Sequence, residues 1–269
     1  ERGLVMNKTK IDSADYTFNP VTGCLHGCTY CYARGIVRRF GKPGDGTLHD
    51  LKEPELMTST EEISGAMEPL EVYADYRICP YPFGFDPTLH RYKLERPQEV
   101  KKPQNVFVGS MTDLFGEQIP DEWIEAVFDA CEKAPQHRYL FLTKNPKRYE
   151  LLKKCNNLPE NDNFMYGSTV TNNRGTLWFS TAHKSFVSVE PLMSSFSDGD
   201  IDGFAYTDWI IIGAETGNRK GKVIPKRKWV EAIVENCRAY CMPVFMKSSL
   251  KEIWGDPLIQ EYPWDREVV

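Results

Sequence analysis

Apolar positions along the chain follow two periods. Short unbroken runs, Val106-Phe107-Val108-Gly109, Tyr139-Leu140-Phe141-Leu142, Phe186-Val187-Ser188-Val189 and Trp209-Ile210-Ile211-Ile212-Gly213, are β-branched or aromatic and end in polar residues. Runs of that length predict strands covered on both faces. Tyr16-Thr17-Phe18, Phe83-Gly84-Phe85, Phe164-Met165-Tyr166-Gly167 and Val244-Phe245-Met246 are weaker candidates. Helical periodicity lies between them. Pro120 to Ala134 sets Trp123, Ile124, Val127, Phe128 and Cys131 on one face, with Pro120 at its start and Pro135 just beyond. Asn145-Pro146 opens a helix carrying Tyr149, Leu152 and Cys155, and Pro225 opens another with Trp229, Ile233, Cys237 and Tyr240 in a stripe. Cys131, Cys155 and Cys237 are therefore expected in the core, where free cysteine packs as a small hydrophobe.

Strand and helix alternation implies a parallel sheet, and the strand count predicts an α/β fold of the (β/α)-barrel, TIM-like kind with six to eight parallel strands. The chain reads as one domain, residues 1–269, without internal repeats. Two places break the rhythm. A Pro-, Glu- and Gly-rich stretch at about 41–80 reads as an irregular insertion with a short helix near Glu61 to Glu68. The crossover between Val170 and Lys184 contains Thr171-Asn172-Asn173-Arg174-Gly175, which does not read as helical.

Composition narrows the class. The 269 residues carry 41% apolar and 26% charged positions, as in ordinary globular proteins, and 12% aromatics exclude a disordered chain. No run approaches the ~18 apolar residues of a membrane span, and no secretory segment precedes the first motif, so the expected location is the cytoplasm. A net charge of -5 argues against a broadly basic nucleic-acid binder and leaves room for a local basic patch.

Three of the eight cysteines fall together, in Cys24-Leu25-His26-Gly27-Cys28-Thr29-Tyr30-Cys31. In a reducing compartment such a cluster points to metal or redox chemistry before disulfides. A structural zinc site wants four ligands, usually two C-x-x-C-type pairs. No second pair follows at a suitable spacing, and His26 inside the loop would strain a chelate. Three thiolates on a short loop better suit an iron–sulfur cube with one iron left open. Cys237 and Cys241, one helical turn apart, lack the further ligands of a second cluster.

The loop resembles the signature of the radical S-adenosylmethionine superfamily, which has this spacing and an aromatic before the last cysteine. With Asn19 to Gly23, Tyr32-Ala33, Val106 to Gly116, Leu142-Thr143-Lys144, Ser188 to Leu192 and Gly213 to Gly217, the chain resembles a phage- and bacteria-encoded family of radical-S-adenosylmethionine-like proteins of unknown function. The likeness covers nearly the whole chain apart from the 41–80 stretch and the crossover after Val170. It implies a 4Fe–4S cluster on Cys24, Cys28 and Cys31, in a loop leaving the first strand. S-adenosyl-L-methionine would chelate the open iron and be cleaved to a 5′-deoxyadenosyl radical that abstracts a substrate hydrogen. A reductant such as flavodoxin or ferredoxin is implied as partner. The backbone near Tyr30 would face the adenine. The superfamily's Gly-Gly-Glu segment is not evident; Phe83-Gly84-Phe85-Asp86 stands in its place.

Polar residues end the expected strands, as a barrel's active-site rim requires: Asn19, Asp86, Ser110 with Asp113, Thr143 with Lys144, Ser168 with Thr169, Glu190, Glu215 and Lys247. Ser110, Thr143 and Ser168 are candidates for the cofactor's ribose or carboxylate, with Asp113 beside them. Lys144 would pair the carboxylate. Glu190 would accept from the ribose or amino group, and Glu215 and Lys247 would face substrate. Lys144, Glu190 and Glu215 are the catalytic candidates. Arg219-Lys220-Gly221-Lys222 and Lys226-Arg227-Lys228 are expected beside the mouth, where cations would favour a small phosphorylated molecule, a nucleotide or a nucleic acid. Two other functions remain open on the sequence alone. One is electron transfer or redox sensing by the cluster; the other is a zinc-stabilised nucleic-acid-binding module.

Overall fold

The computed structural model describes residues 6–58, 72–73 and 76–265. The chain runs through β1 (Asn7–Lys8), β2 (Tyr16–Phe18), β3 (Val21–Thr22) and, after the cysteine loop, α1 (Tyr32–Phe40). The next stretch holds β4 (His49–Leu51), β5 (Leu56–Thr58), β6 (Val72–Tyr73), β7 (Tyr76–Ile78), β8 (Thr88–His90) and α2 (Arg96–Glu99). There follow β9 (Asn105–Val108), α3 (Asp121–Glu132), β10 (Arg138–Thr143), α4 (Lys147–Lys154), β11 (Phe164–Thr169), β12 (Ser185–Val189), α5 (Asp198–Asp202), β13 (Trp209–Ile212), α6 (Arg227–Ala239), β14 (Val244–Met246) and α7 (Lys251–Trp254).

The fold is mixed α/β around one large, mostly parallel sheet. Its order is β1-β2-β9-β10-β11-β12-β13-β14, with β1 antiparallel on β2 and every later pair parallel. Among the described residues no ladder joins β14 to β2, so the sheet has two edges. The segment before β2 bridges them, where the Asp12 carboxylate accepts the Ser248 N–H at 2.6 Å.

Strand parity builds two kinds of core. Side chains alternate across a strand. On β10, Tyr139 and Phe141 face the helices α3 and α4. Leu140 and Leu142 face the concave side with Phe107, Met165, Phe186, Trp209, Ile211 and Phe245. At the N-terminal end of the strands, Tyr262 and Trp264 stack at 4.9 Å and lie against Trp209. That end of the concave side is thus filled by the tail, and the open space lies at the other.

Seven of the eight expected strands are present. Phe83-Gly84-Phe85 is a turn instead. Gly84 has φ +59°, and a Cβ there would lie 2.8 Å from the Lys42 carbonyl oxygen. Its two aromatics serve the insertion and the cysteine loop: Phe83 stacks on His49 at 3.6 Å, and the Arg34 guanidinium sits 4.7 Å over Phe85. The 41–80 stretch supplies β4 to a small sheet with β3 and β8 and pairs within itself as β5-β7-β6, and the helix expected near Glu61 to Glu68 falls outside the described residues. The crossover after Val170 holds no helix. Cys131 and Cys237 are buried as expected, but Cys155 is exposed because it caps α4, and Tyr240 is exposed because it caps α6. No helix among the described residues is long and apolar enough to cross a membrane.

Candidate active site at the strand ends

The loops that follow the C-terminal ends of the strands enclose a pocket of about 350 Å³. Cys24, Cys28, Cys31 and Tyr30 line it from the cysteine loop. Ser110, Asp113, Thr143, Lys144, Glu190, Glu215 and Lys247 line it from the ends of five strands. Sequence reasoning thus found residues far apart in the chain that the fold brings to one cavity. Ser168 is the exception among them. It is fully buried on the helix-facing parity of β11, where its Oγ accepts the Trp178 N–H at 2.9 Å. Its neighbour Thr169, one residue on and so on the opposite face, lines the pocket instead. Asp86 is also diverted, with Oδ2 accepting the Gly46 N–H at 2.7 Å in the insertion.

The cysteine loop is built by backbone that only certain residues allow. Gly23 has φ +87°, and a Cβ there would come within 2.2 Å of the Asp86 carbonyl oxygen, so the chain can turn into the loop only at glycine. The turn is held from β9's loop: Gly23 donates to the Met111 carbonyl at 2.9 Å, and Thr112 Oγ1 donates to the Gly23 carbonyl at 2.6 Å. At the far end Cys31 caps α1, its Sγ accepting the Arg34 N–H at 3.4 Å. Arg34 also donates from its side chain to the Cys24 carbonyl at 3.2 Å.

The three thiols are half-buried, and none is in a disulfide. Burial pushes the Cys24 thiol up, opposed by the backbone N–H groups of His26 and Asp113 that face its sulfur. The Tyr30 phenol is raised by burial first and then by the charge and hydrogen bond of Cys28. Three free thiols on one short loop, all lining the same cavity, suit an iron–sulfur cluster. Among the described residues no fourth cysteine lines the pocket. The donor set therefore fits a cluster with one iron lacking a protein ligand.

Charges on the opposite wall are mostly paired. Lys247 Nζ meets Glu190 Oε2 at 2.6 Å, with both groups partly exposed. Glu215 is buried and takes Arg219 in a fork, Nε to Oε1 at 2.6 Å and Nη2 to Oε2 at 2.7 Å. The Arg219 hydrogen bonds hold the Glu215 carboxyl below the usual glutamate range. Lys144 is exposed and lies with Nζ 5.7 Å over the Tyr30 ring. Thr143 Oγ1 donates to Asp113 at 2.7 Å, so its hydroxyl proton is already placed. Ser110 Oγ donates to Asn19 Oδ1 at 3.1 Å.

The basic stretch follows the pocket wall without lining the cavity. Arg219 turns back to Glu215, Lys222 donates to the Gly217 carbonyl at 3.2 Å, and Arg227 pairs with Glu231 at 2.7 Å. Lys220 and Lys228 are exposed. Sequence reasoning missed Lys10, Asp12, Ser248 and Ser249, which also line the pocket. The two serines directly follow Lys247 and were legible from that position; Lys10 and Asp12 precede a strand and carried no such signal. Elsewhere, Asp45, His49 and Asp86 converge on the insertion, but their ligand atoms already serve hydrogen bonds to Thr47, to Gly46 and to one another.

Fold and site together define a class: α/β proteins with a parallel sheet whose C-terminal strand ends enclose a thiol-lined pocket. Within it, the chain belongs to DUF5131, a family of proteins of unknown function whose model matches residues 8–256. A comparison with curated proteins gives no match. Among solved structures, the fold is similar to that of spore photoproduct lyase complexed with dinucleoside spore photoproduct (TM-score 0.51, 11% identity), covering 91% of this chain and 79% of that one. It is similar too to a doubly substituted mutant of that lyase with bound AdoMet and dinucleoside spore photoproduct (TM-score 0.51, 10% identity), with the same coverage of 91% and 79%.

Proposed function

We propose that this protein is a radical S-adenosylmethionine enzyme. Its 4Fe–4S cluster would be held by Cys24, Cys28 and Cys31, with S-adenosyl-L-methionine in the adjoining pocket. When bound, the pair supplies reductive cleavage of the sulfonium and a 5′-deoxyadenosyl radical for hydrogen abstraction, chemistry that belongs to the cofactors. The observation that carries the reading is the convergence of three half-buried thiols, with no fourth cysteine among the described residues, on one cavity at the strand ends. The shared fold with a lyase solved with bound AdoMet supports it.

The chain's own residues would then orient and enclose. Lys144, exposed at the rim beside Tyr30, would attract the methionine carboxylate. Thr169 replaces Ser168 as the hydroxyl offered to the ribose, since Ser168 is buried on the helix-facing side of β11. Glu190, already bound to Lys247, would accept from the ribose or amino group through its other oxygen. Glu215 acts through the Arg219 loop instead of as a free base.

For substrate we propose a nucleotide or nucleic acid. The exposed cations Lys10 and Lys144 at the mouth, with Lys220 beyond it, are the local exception in a chain of net charge -5. The dinucleoside ligand of the similar lyase, and the phage and bacterial setting implied by the sequence resemblance, favour the same class. A flavodoxin or ferredoxin would supply the electron, and the protein would work in the cytoplasm.

The test is metal content after anaerobic reconstitution. The parent should take up about four irons per chain with absorbance near ~400 nm, and Cys28→Ala should hold no stable cluster. Zinc in place of iron would overturn the proposal.

A further inference from the structure

We propose that the His26–Asp113 pair is a latch that fixes the cysteine loop on the sheet before any metal arrives, which makes His26 and Asp113 positioning residues of the site. Asp113 is buried, 7% exposed, and a desolvated carboxylate must have its acceptor sites filled. All four are. Oδ1 accepts the Phe115 N–H at 3.1 Å and the Thr143 hydroxyl at 2.7 Å; Oδ2 accepts the Lys144 N–H at 2.8 Å and His26 Nε2 at 2.8 Å.

Of these donors, Phe115 lies in the β9 loop with Asp113, and Thr143 and Lys144 at the end of β10 anchor the carboxylate to the sheet. The fourth comes from inside the C-x-x-x-C-x-x-C loop. The bond joins the cysteine loop, two residues after Cys24 and two before Cys28, to the β9 loop. A side-chain bond between His26 and Asp113 therefore holds the loop that carries Cys24 and Cys28 against the sheet. Because a carboxylate oxygen only accepts, His26 is the donor in this bond and carries its proton on Nε2.

A rival role is confined to the sheet, in which Asp113 merely ties β9's loop to β10. That role is complete with Phe115, Thr143 and Lys144 alone, whereas His26 reaches Asp113 from the cysteine loop. Replacing His26 thus separates the two roles and leaves the buried carboxylate with three partners. What the loop holds rests on the cluster reading given above; the latch itself is a property of the metal-free chain.

The experiment is amide hydrogen exchange on the metal-free full chain, followed by chelator-driven iron release from the reconstituted protein. In His26→Ala, amides of residues 24–31 should exchange on the order of tenfold faster, as expected for one lost hydrogen bond to a charged group. Iron should leave faster by a similar factor, while α3 and α4 keep parental protection. His26→Gln, whose amide can still donate to Oδ2, should restore most of both. Parental exchange in the loop and parental iron retention in His26→Ala would overturn the latch. A parent that takes up no iron removes the cluster reading, and the exchange comparison still decides the latch.

Discussion

At the residue scale, chemistry carried by spacing was legible and chemistry carried by side-chain direction was not. Cys24, Cys28 and Cys31 announce themselves because three thiolates on eight residues have few other uses. Ser168 and Thr169 were read together, since a strand end tells which residues are near the rim but not which of two neighbours faces in. The pleat decides, and it gives the pocket to Thr169. Glu215 was expected to face substrate and Arg219, four residues on, to belong to a basic stretch beside the mouth; in the fold the two form a fork. That fork has a pH signature. A carboxyl whose folded pKa is depressed stabilises the fold above its unfolded pKa, and the contribution is lost as pH falls through the lowered folded value. Stability of the parent should therefore decline on acidification below the ordinary glutamate range, and Arg219→Gln should remove part of that slope. Parallel denaturation curves against pH would check it, and identical slopes would contradict the role assigned to Arg219.

At the element scale, strands covered on both faces could be found from their runs alone, and seven of eight were. Phe83-Gly84-Phe85 has a strand's apolar content, but its glycine sits at φ +59° and its rings pack on separate partners. Only tertiary contacts distinguish that turn from a strand. The helix-free crossover raises the question of what covers β11. Trp178 does so, packing with Tyr149 at 5.2 Å and His183 at 5.6 Å while its N–H caps Ser168. Trp178→Ala should cost about 3–5 kcal/mol, as for other buried aromatic deletions. Iron uptake should survive at temperatures where the variant stays folded, because Trp178 is on the helix side of the sheet. Urea denaturation gives the cost, and a change below ~1 kcal/mol would mean the crossover packs in another way.

At the scale of the whole molecule, the tail and the strand parity leave one end of the concave face open, and every cysteine of the loop borders that space. An electron-transfer protein needs a cluster near its surface but has no use for an adjoining 350 Å³ cavity rimmed by Lys144, Glu190 and Lys247. That cavity favours the proposed cofactor cleavage over electron transfer alone. The most direct measurement reduces the anaerobically reconstituted protein with S-adenosyl-L-methionine present and assays for 5′-deoxyadenosine. The account predicts its formation by the parent and none by Cys28→Ala; a fully loaded, reducible cluster that yields none, with or without nucleic acid, would contradict it.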